Sequence, residues 1–159
     1  MKEQIAYCCK KLRLGRKIVD VFEEVEAGNN QEYLMKILQI ALDNRETSRK
    51  NRLVKQAGFY AMKTFEDFSF EEIRLPQDLS PEELKKASFV DEKKNLILYG
   101  NVGTGKTHLA QAIGLEACKQ DKVVRFFRTA ALVNRLSEAQ KKSELNAFMK
   151  TLMKADLII

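Results

Sequence analysis

The chain has 159 residues, 45% hydrophobic and 31% charged, with a formal net charge of +6. That length suits one ordinary domain, or a small helical domain joined to part of a larger one, and the composition excludes a disordered chain. No apolar run approaches membrane-spanning length and the N-terminus lacks the apolar core of a signal peptide. A cytoplasmic protein with no membrane partner is therefore expected, its basicity suiting a polyanion such as nucleic acid.

Charge is unevenly spread. Residues 1–64 carry a net +5, residues 65–94 a net −4 and residues 95–159 a net +5. The acidic middle reads as a connector between a basic helical domain, 1–64, and a second domain, 95–159. Three cysteines, two of them adjacent (Cys8 and Cys9), and a single histidine, His108, form no metal-ligand spacing. They read as reduced thiols of a cytosolic protein.

Residues 3–58 read as helical, with breaks at Gly15 and around Gly28-Asn29-Asn30. Ile18, Val21, Phe22 and Val25 build one apolar stripe. Asn30 is expected to cap the next helix, where Leu34, Ile37, Leu38, Ala41 and Leu42 repeat the pattern. Further along, Arg45, Arg49 and Arg52 recur at i, i+4 and i+7, and Lys50 and Lys55 widen the positive surface. Two readings stand for this face. One is a solvated surface with local pairing to Glu46; the other is a contact surface for the phosphate backbone of DNA.

Gly58 is expected to end the helix. In the connector, Pro76 and Pro81 oppose regular structure, and Ser80-Pro81-Glu82-Glu83 reads as a helix start. Phe65, Phe68 and Phe70 read as anchors that dock the connector on the next domain, or as an aromatic face for a nucleotide base.

From Asn95 the pattern becomes α/β. The run 95–99, "NLILY", reads as a strand, followed by a glycine loop and a helix over about 106–119. The run 123–127, "VVRFF", reads as a second strand. Helices are expected from a Thr129 cap to about Ala139 and over about 143–153, before a last strand-like run, "ADLII".

Between the first strand and its helix, Gly100-Asn101-Val102-Gly103-Thr104-Gly105-Lys106-Thr107 fits G-x-x-x-x-G-K-[ST] at every fixed position. In that setting the glycines let backbone N–H groups converge on phosphate oxygens, and the helix N-terminus adds partial positive charge. Lys106 is expected to reach the β- and γ-phosphates of a nucleotide, and the Thr107 hydroxyl to ligate Mg²⁺. His108 adjoins this loop and closes the candidate binding stretch. Its place in the first helical turn points to packing or a structural hydrogen bond over proton transfer.

Hydrolysis needs more, because acids at the end of a neighbouring strand must hold the metal and activate water. Asp156 stands at the start of the final apolar run, the wrong end for that role.

Taken together, the basic "NRETSRKNRLVKQAGF", the connector "KTFEDFSF", the stretch "NLILYGNVGTGKTHLAQAIGLEAC" and "VRFFRTAALVNRLSEA" resemble the IstB-like transposition helper ATPases. These are AAA+ proteins close to the DnaC-like helicase loaders. The resemblance implies an N-terminal helical domain followed by a partial AAA+ P-loop domain, a truncated parallel sheet with flanking helices. It also implies ATP and Mg²⁺ as ligands, and duplex DNA and a transposase as partners, with homo-oligomer formation when full length.

The last residues, "KADLII", resemble the family's Walker B strand cut just before its acidic pair. The expectations that follow are a partial chain that does not turn over ATP alone, and a strand 95–99 deprived of both sheet neighbours. A helicase loader and a non-catalytic interaction fragment are the alternatives.

Overall fold

The computed structural model describes residues 1–77 and 79–159. Its elements run α1 (Lys2–Leu12), α2 (Lys17–Val21), α3 (Asn30–Ala57), α4 (Pro81–Lys86), α5 (Ser88–Asp91), α6 (Lys106–Lys119), β1 (Val124–Arg125), α7 (Thr129–Lys141), α8 (Leu145–Met153) and β2 (Leu157–Ile158). They fall into two units, Met1–Asn51 and Arg52–Ile159, so α3 contributes to both. The chain is mostly helical with one small parallel sheet, an arrangement consistent with a partial P-loop domain. No helix among the described residues is long and apolar enough to cross a membrane.

In the first unit, Cys9 of α1, Ile18 of α2 and Ala41 of α3 are buried together, with Ile5, Phe22, Ile37 and Ile40 packed around them. The helical reading of 3–58 is too generous here, because residues 22–29 are turns and irregular chain. That segment is held from the side: the Tyr33 hydroxyl donates to the Phe22 carbonyl at 2.8 Å, and Lys36 Nζ donates to the Glu26 carbonyl at 2.9 Å.

The cap of α3 also shifts by one residue. Asn29, not Asn30, accepts the Glu32 N–H at 2.9 Å through its side chain, and Glu32 Oε2 accepts the Gly28 N–H at 2.8 Å. The hydrogen bond from Lys36, then that from the Gly28 N–H, and the Lys36 charge hold the Glu32 carboxyl below its ordinary pKa. The expected apolar stripe of α3 splits in two. Ile37, Ile40 and Ala41 turn to the cluster, whereas Leu34, Leu38 and Leu42 are exposed.

The second unit holds the larger core, in which Leu53 and Ala57 of α3 join Leu84, Phe89, Leu109, Ile113, Cys118 and Val124. Gly58, at φ +80, ends α3 as expected. Phe65, Phe68 and Phe70 are partly buried against this core, as anchors would be. The Ser80 start is a full capping box: Ser80 Oγ accepts the Glu83 N–H at 3.2 Å and Glu83 Oε2 accepts the Ser80 N–H at 2.7 Å. Such a cap stabilises by about 1 kcal/mol.

β1 and β2 pair in parallel, Val124 with Leu157 and Arg125 with Ile158. The strand reading of "VVRFF" shrinks to these two residues. The Phe126 N–H leaves the ladder for the Ala57 carbonyl at 2.7 Å, satisfying an orphan carbonyl at the end of α3. Thr129 does not cap α7 but is its first helical residue, preceded by Arg128 without a side-chain cap. The final helix begins at Leu145 instead of 143.

Residues 95–99 are not a strand. They pair with no other segment in the sheet, which contains β1 and β2 alone among the described residues. Its burial nevertheless alternates as a strand's would: Leu96 and Leu98 pack on the core, and Ile97 and Tyr99 are 85% and 93% exposed. A side-chain pattern of period two places a segment on a core, but strand identity requires a backbone partner.

Candidate nucleotide site

Residues 100–105 lead from this unpaired segment into α6, the best-buried helix of the chain. Gly100, Gly103 and Gly105 have φ values of 148, 85 and 78 degrees. Gly105 is the most constrained: besides its left-handed φ, a Cβ there would lie 3.0 Å from Phe68 Cε2. The connector thus reaches the base of the loop and fixes the requirement for glycine.

Lys106 Nζ donates to the carbonyls of Gly100 at 2.9 Å and Asn101 at 2.6 Å, with Thr104 Oγ1 at 3.4 Å. Thr104 Oγ1 itself donates to the Asn101 carbonyl at 2.9 Å. The ammonium therefore sits inside the loop, coordinated by the loop's own oxygens.

A group bearing phosphates fits what surrounds it. No acid lies in the first turn of α6, so nothing there competes for the positive helix end. A Cβ on Gly103 would meet nothing within 4 Å, so the approach over the loop is open. Val102 is fully exposed and Thr107 is exposed in the first turn. Beside the loop lies a cleft of about 630 Å³ bounded by Ile73, Arg74, Pro76, Tyr99, Asn101 and Lys106. A recess of about 270 Å³ lies over Gly103 and Thr104, walled by Phe68, Glu72 and Ile73. The larger of the two is of the size that small ligands occupy.

His108 turns away from this space. Its Nε2 lies 2.8 Å from the Thr64 carbonyl, so that nitrogen carries the proton, and its ring packs 5.2 Å from Phe68. One turn on, buried Gln111 makes a parallel tie, its Oε1 3.4 Å from the donating Ala61 N–H and its Nε2 3.3 Å from the Thr107 carbonyl. Gln111, Thr64 and the connector residues Ile73 and Arg74 escaped the reading of the sequence. Their signal lay only in the phenylalanines nearby, which indicated that the connector docks but not where.

The remaining candidates lie elsewhere. Arg45, Arg49 and Lys50 lie on α3 in the first unit, and Arg52 and Lys55 on its last turns in the second. All are exposed except Lys50, which is half-buried. Asp156 plays a structural part, since its Oδ2 accepts the Val123 N–H at 2.7 Å where the parallel pair begins.

Residues 9–159 match the family described as IstB-like ATP binding protein. The chain is similar along its whole length to a protein of Geobacillus stearothermophilus named for ATP binding in insertion sequence IS5376, at 28% identity over 65% of that relative. A Bacillus thuringiensis counterpart from insertion sequence IS232 is 30% identical over 80% of this chain and 51% of its own length. A shorter likeness, 36% identity over 40% of the chain and 14% of the relative, is to the chromosomal replication initiator protein DnaA of Methylacidiphilum infernorum. The chain thus spans between half and two-thirds of these two insertion-sequence relatives. It belongs to the IstB-like ATP-binding family, and the DnaA likeness agrees with an AAA+ relation.

Proposed function

We propose that this member of the IstB-like family binds ATP with Mg²⁺ at Gly100–Thr107 and serves as a DNA-associated helper of a transposase in the cytoplasm. The observation that supports it most is the loop itself, with Lys106 held among its carbonyls at the head of a buried helix. When bound, the nucleotide would supply the free energy for changes of assembly. Lys106 would neutralise phosphate charge, the loop amides and the α6 N-terminus would cradle it, and Thr107 would ligate the metal.

In this reading residues 1–64 form the DNA-contacting and assembly domain, 65–94 the connector and 95–159 the nucleotide-binding part. The Arg45, Arg49, Lys50, Arg52 and Lys55 side chains contact the duplex backbone, and the full-length protein forms a homo-oligomer. The engagement of Asp156 with Val123 favours binding without turnover by residues 1–159.

Two titrations distinguish the outcomes. A fluorescent ATP analogue with Mg²⁺ should bind the chain and lose at least roughly tenfold in affinity on Lys106→Ala, as loss of a charge-assisted contact implies. Unchanged affinity would overturn the site. Duplex DNA should bind with an affinity that falls steeply with salt, less steeply after Arg45→Ala and Arg49→Ala together. No duplex binding at low salt would instead favour a helicase loader.

A further inference from the structure

A second cleft of about 620 Å³ lies within the second unit, between the end of α3, the chain leaving β1, and helices α7 and α8. Three arginines line it, Arg125, Arg128 and Arg135, and no acid does. Arg125 builds the wall: its Nη1 donates to the Gln56 carbonyl at 3.0 Å and the Val124 carbonyl at 3.1 Å. Arg128 and Arg135 are exposed, and neither has a carboxylate partner among the described residues.

Both of these cations are positioned by rings. The Arg128 guanidinium carbon lies 4.3 Å from the centre of Tyr60, and that of Arg135 lies 5.5 Å from the centre of Phe148. The rings are braced in turn, Tyr60 edge-on to Phe126 at 5.7 Å and Phe148 edge-on to Phe127 at 6.3 Å. A guanidinium laid on an aromatic face keeps its charge and its donors, and it loses less freedom on meeting an anion than a loose side chain would.

We propose that this cleft binds single-stranded nucleic acid, with Arg128 and Arg135 on backbone phosphates and Tyr60 beside an unpaired base. The ligand must be anionic, because the lining is cationic without a counter-charge. Tyr60, 53% exposed at the cleft, carries Arg128 and also offers a base its remaining aromatic surface. Bases free of a duplex stack on aromatic rings and guanidinium planes regardless of sequence, whereas paired bases are already stacked on one another. A free nucleotide shares this chemistry but offers fewer phosphates along a chain. The inference rests on the nucleic-acid reading above, and its residues are separate from both the glycine loop and Arg45, Arg49 and Lys50.

Fluorescence anisotropy of the full chain with a labelled short oligothymidylate, a labelled duplex and a fluorescent ATP analogue tests it. Arg128→Ala with Arg135→Ala should weaken oligothymidylate binding roughly tenfold and reduce its salt slope by about 1.4, the value for two single-strand phosphate contacts. Tyr60→Leu should weaken it roughly fivefold with the salt slope kept, the signature of stacking. Both variants should bind the duplex and the ATP analogue within about twofold of wild type, which also reports that they fold.

Equal oligothymidylate affinity in all three proteins would overturn the proposal. So would equal losses for single strand and duplex, a mononucleotide that competes as well as the oligonucleotide, or a glutamate-rich peptide that does so. Absence of both single-strand and duplex binding would remove the DNA-associated reading too. Duplex binding that depends on Arg45 and Arg49, with a single-strand affinity indifferent to Arg128 and Tyr60, would remove this inference alone.

Discussion

The two units bury themselves to very different degrees. Among the described residues, the cluster in Met1–Asn51 has three buried members and that in Arg52–Ile159 has eleven. One helix serves both and shows the contrast within itself. Its last turns bury Leu53 and Ala57, while the turns before them leave Leu34, Leu38 and Leu42 exposed at 58%, 44% and 54%. The apolar spacing is much the same in the two stretches, so spacing alone does not decide burial. What decides it is how many neighbours the rest of the unit can supply. The buried members of the first cluster come from α1, α2 and α3 alone, whereas Leu53 and Ala57 join a core that also draws on α4, α5, α6 and β1.

The contrast can be broken most forcefully at the two cores. Leu84 is wholly buried and Ile18 nearly so. Leu84→Ala should cost about 3–4 kcal/mol, because a dense core cannot collapse into the cavity, and Ile18→Ala nearer ~2 kcal/mol in the smaller cluster. Chemical denaturation gives the sizes, and hydrogen exchange should show the second change confined to amides of the first unit. Equal costs would mean that the smaller cluster is as tightly packed as the larger.

A gentler test uses pH. Burial pushes the Cys118 thiol up to about 11, against smaller opposing effects from the Val124 N–H and the Arg125 charge. A thiol raised in the folded state contributes stability that is complete below its ordinary value near 9 and is lost as pH climbs through 11. The second unit should therefore lose on the order of 2 kcal/mol over that window in wild type beyond what Cys118→Ala loses. Parallel alkaline limbs for wild type and Cys118→Ala would show that the thiol is not dry.

The smallest effect is expected on the open face. Leu34→Gln, at a residue 58% exposed, should change stability by no more than about 0.5 kcal/mol, as surface changes away from a core do. A loss several times larger in thermal melting would mean that this face is packed in solution.

Much of the glycine loop and its setting was legible because the determinants are local. A glycine loop, a helix beginning at Lys106 and a capping box at Ser80 each follow from residues a few positions apart. The place of His108 in the first helical turn likewise foretold a structural bond, here to Thr64. The failures were of another kind. The strand reading of 95–99 fails as an element, but the expectation that it lacks its sheet neighbours holds: it pairs with nothing among the described residues. The one-residue error at Asn29 came from two adjacent asparagines of equal capping chemistry. The Arg128–Tyr60 contact joins residues from distant parts of the chain, and no spacing rule connects them. The connector was legible in part: its phenylalanines read as anchors, and Phe65, Phe68 and Phe70 are partly buried against the core, but nothing local says where they dock.

Lys106 remains the feature with the widest consequence. Its ammonium already has an inner sphere of oxygens, drawn from Gly100, Asn101 and Thr104. A phosphate bound there would exchange with oxygens already around the lysine. The same bonds make the lysine an internal strut. Its removal takes away an attraction and also frees the backbone that the attraction was to act upon.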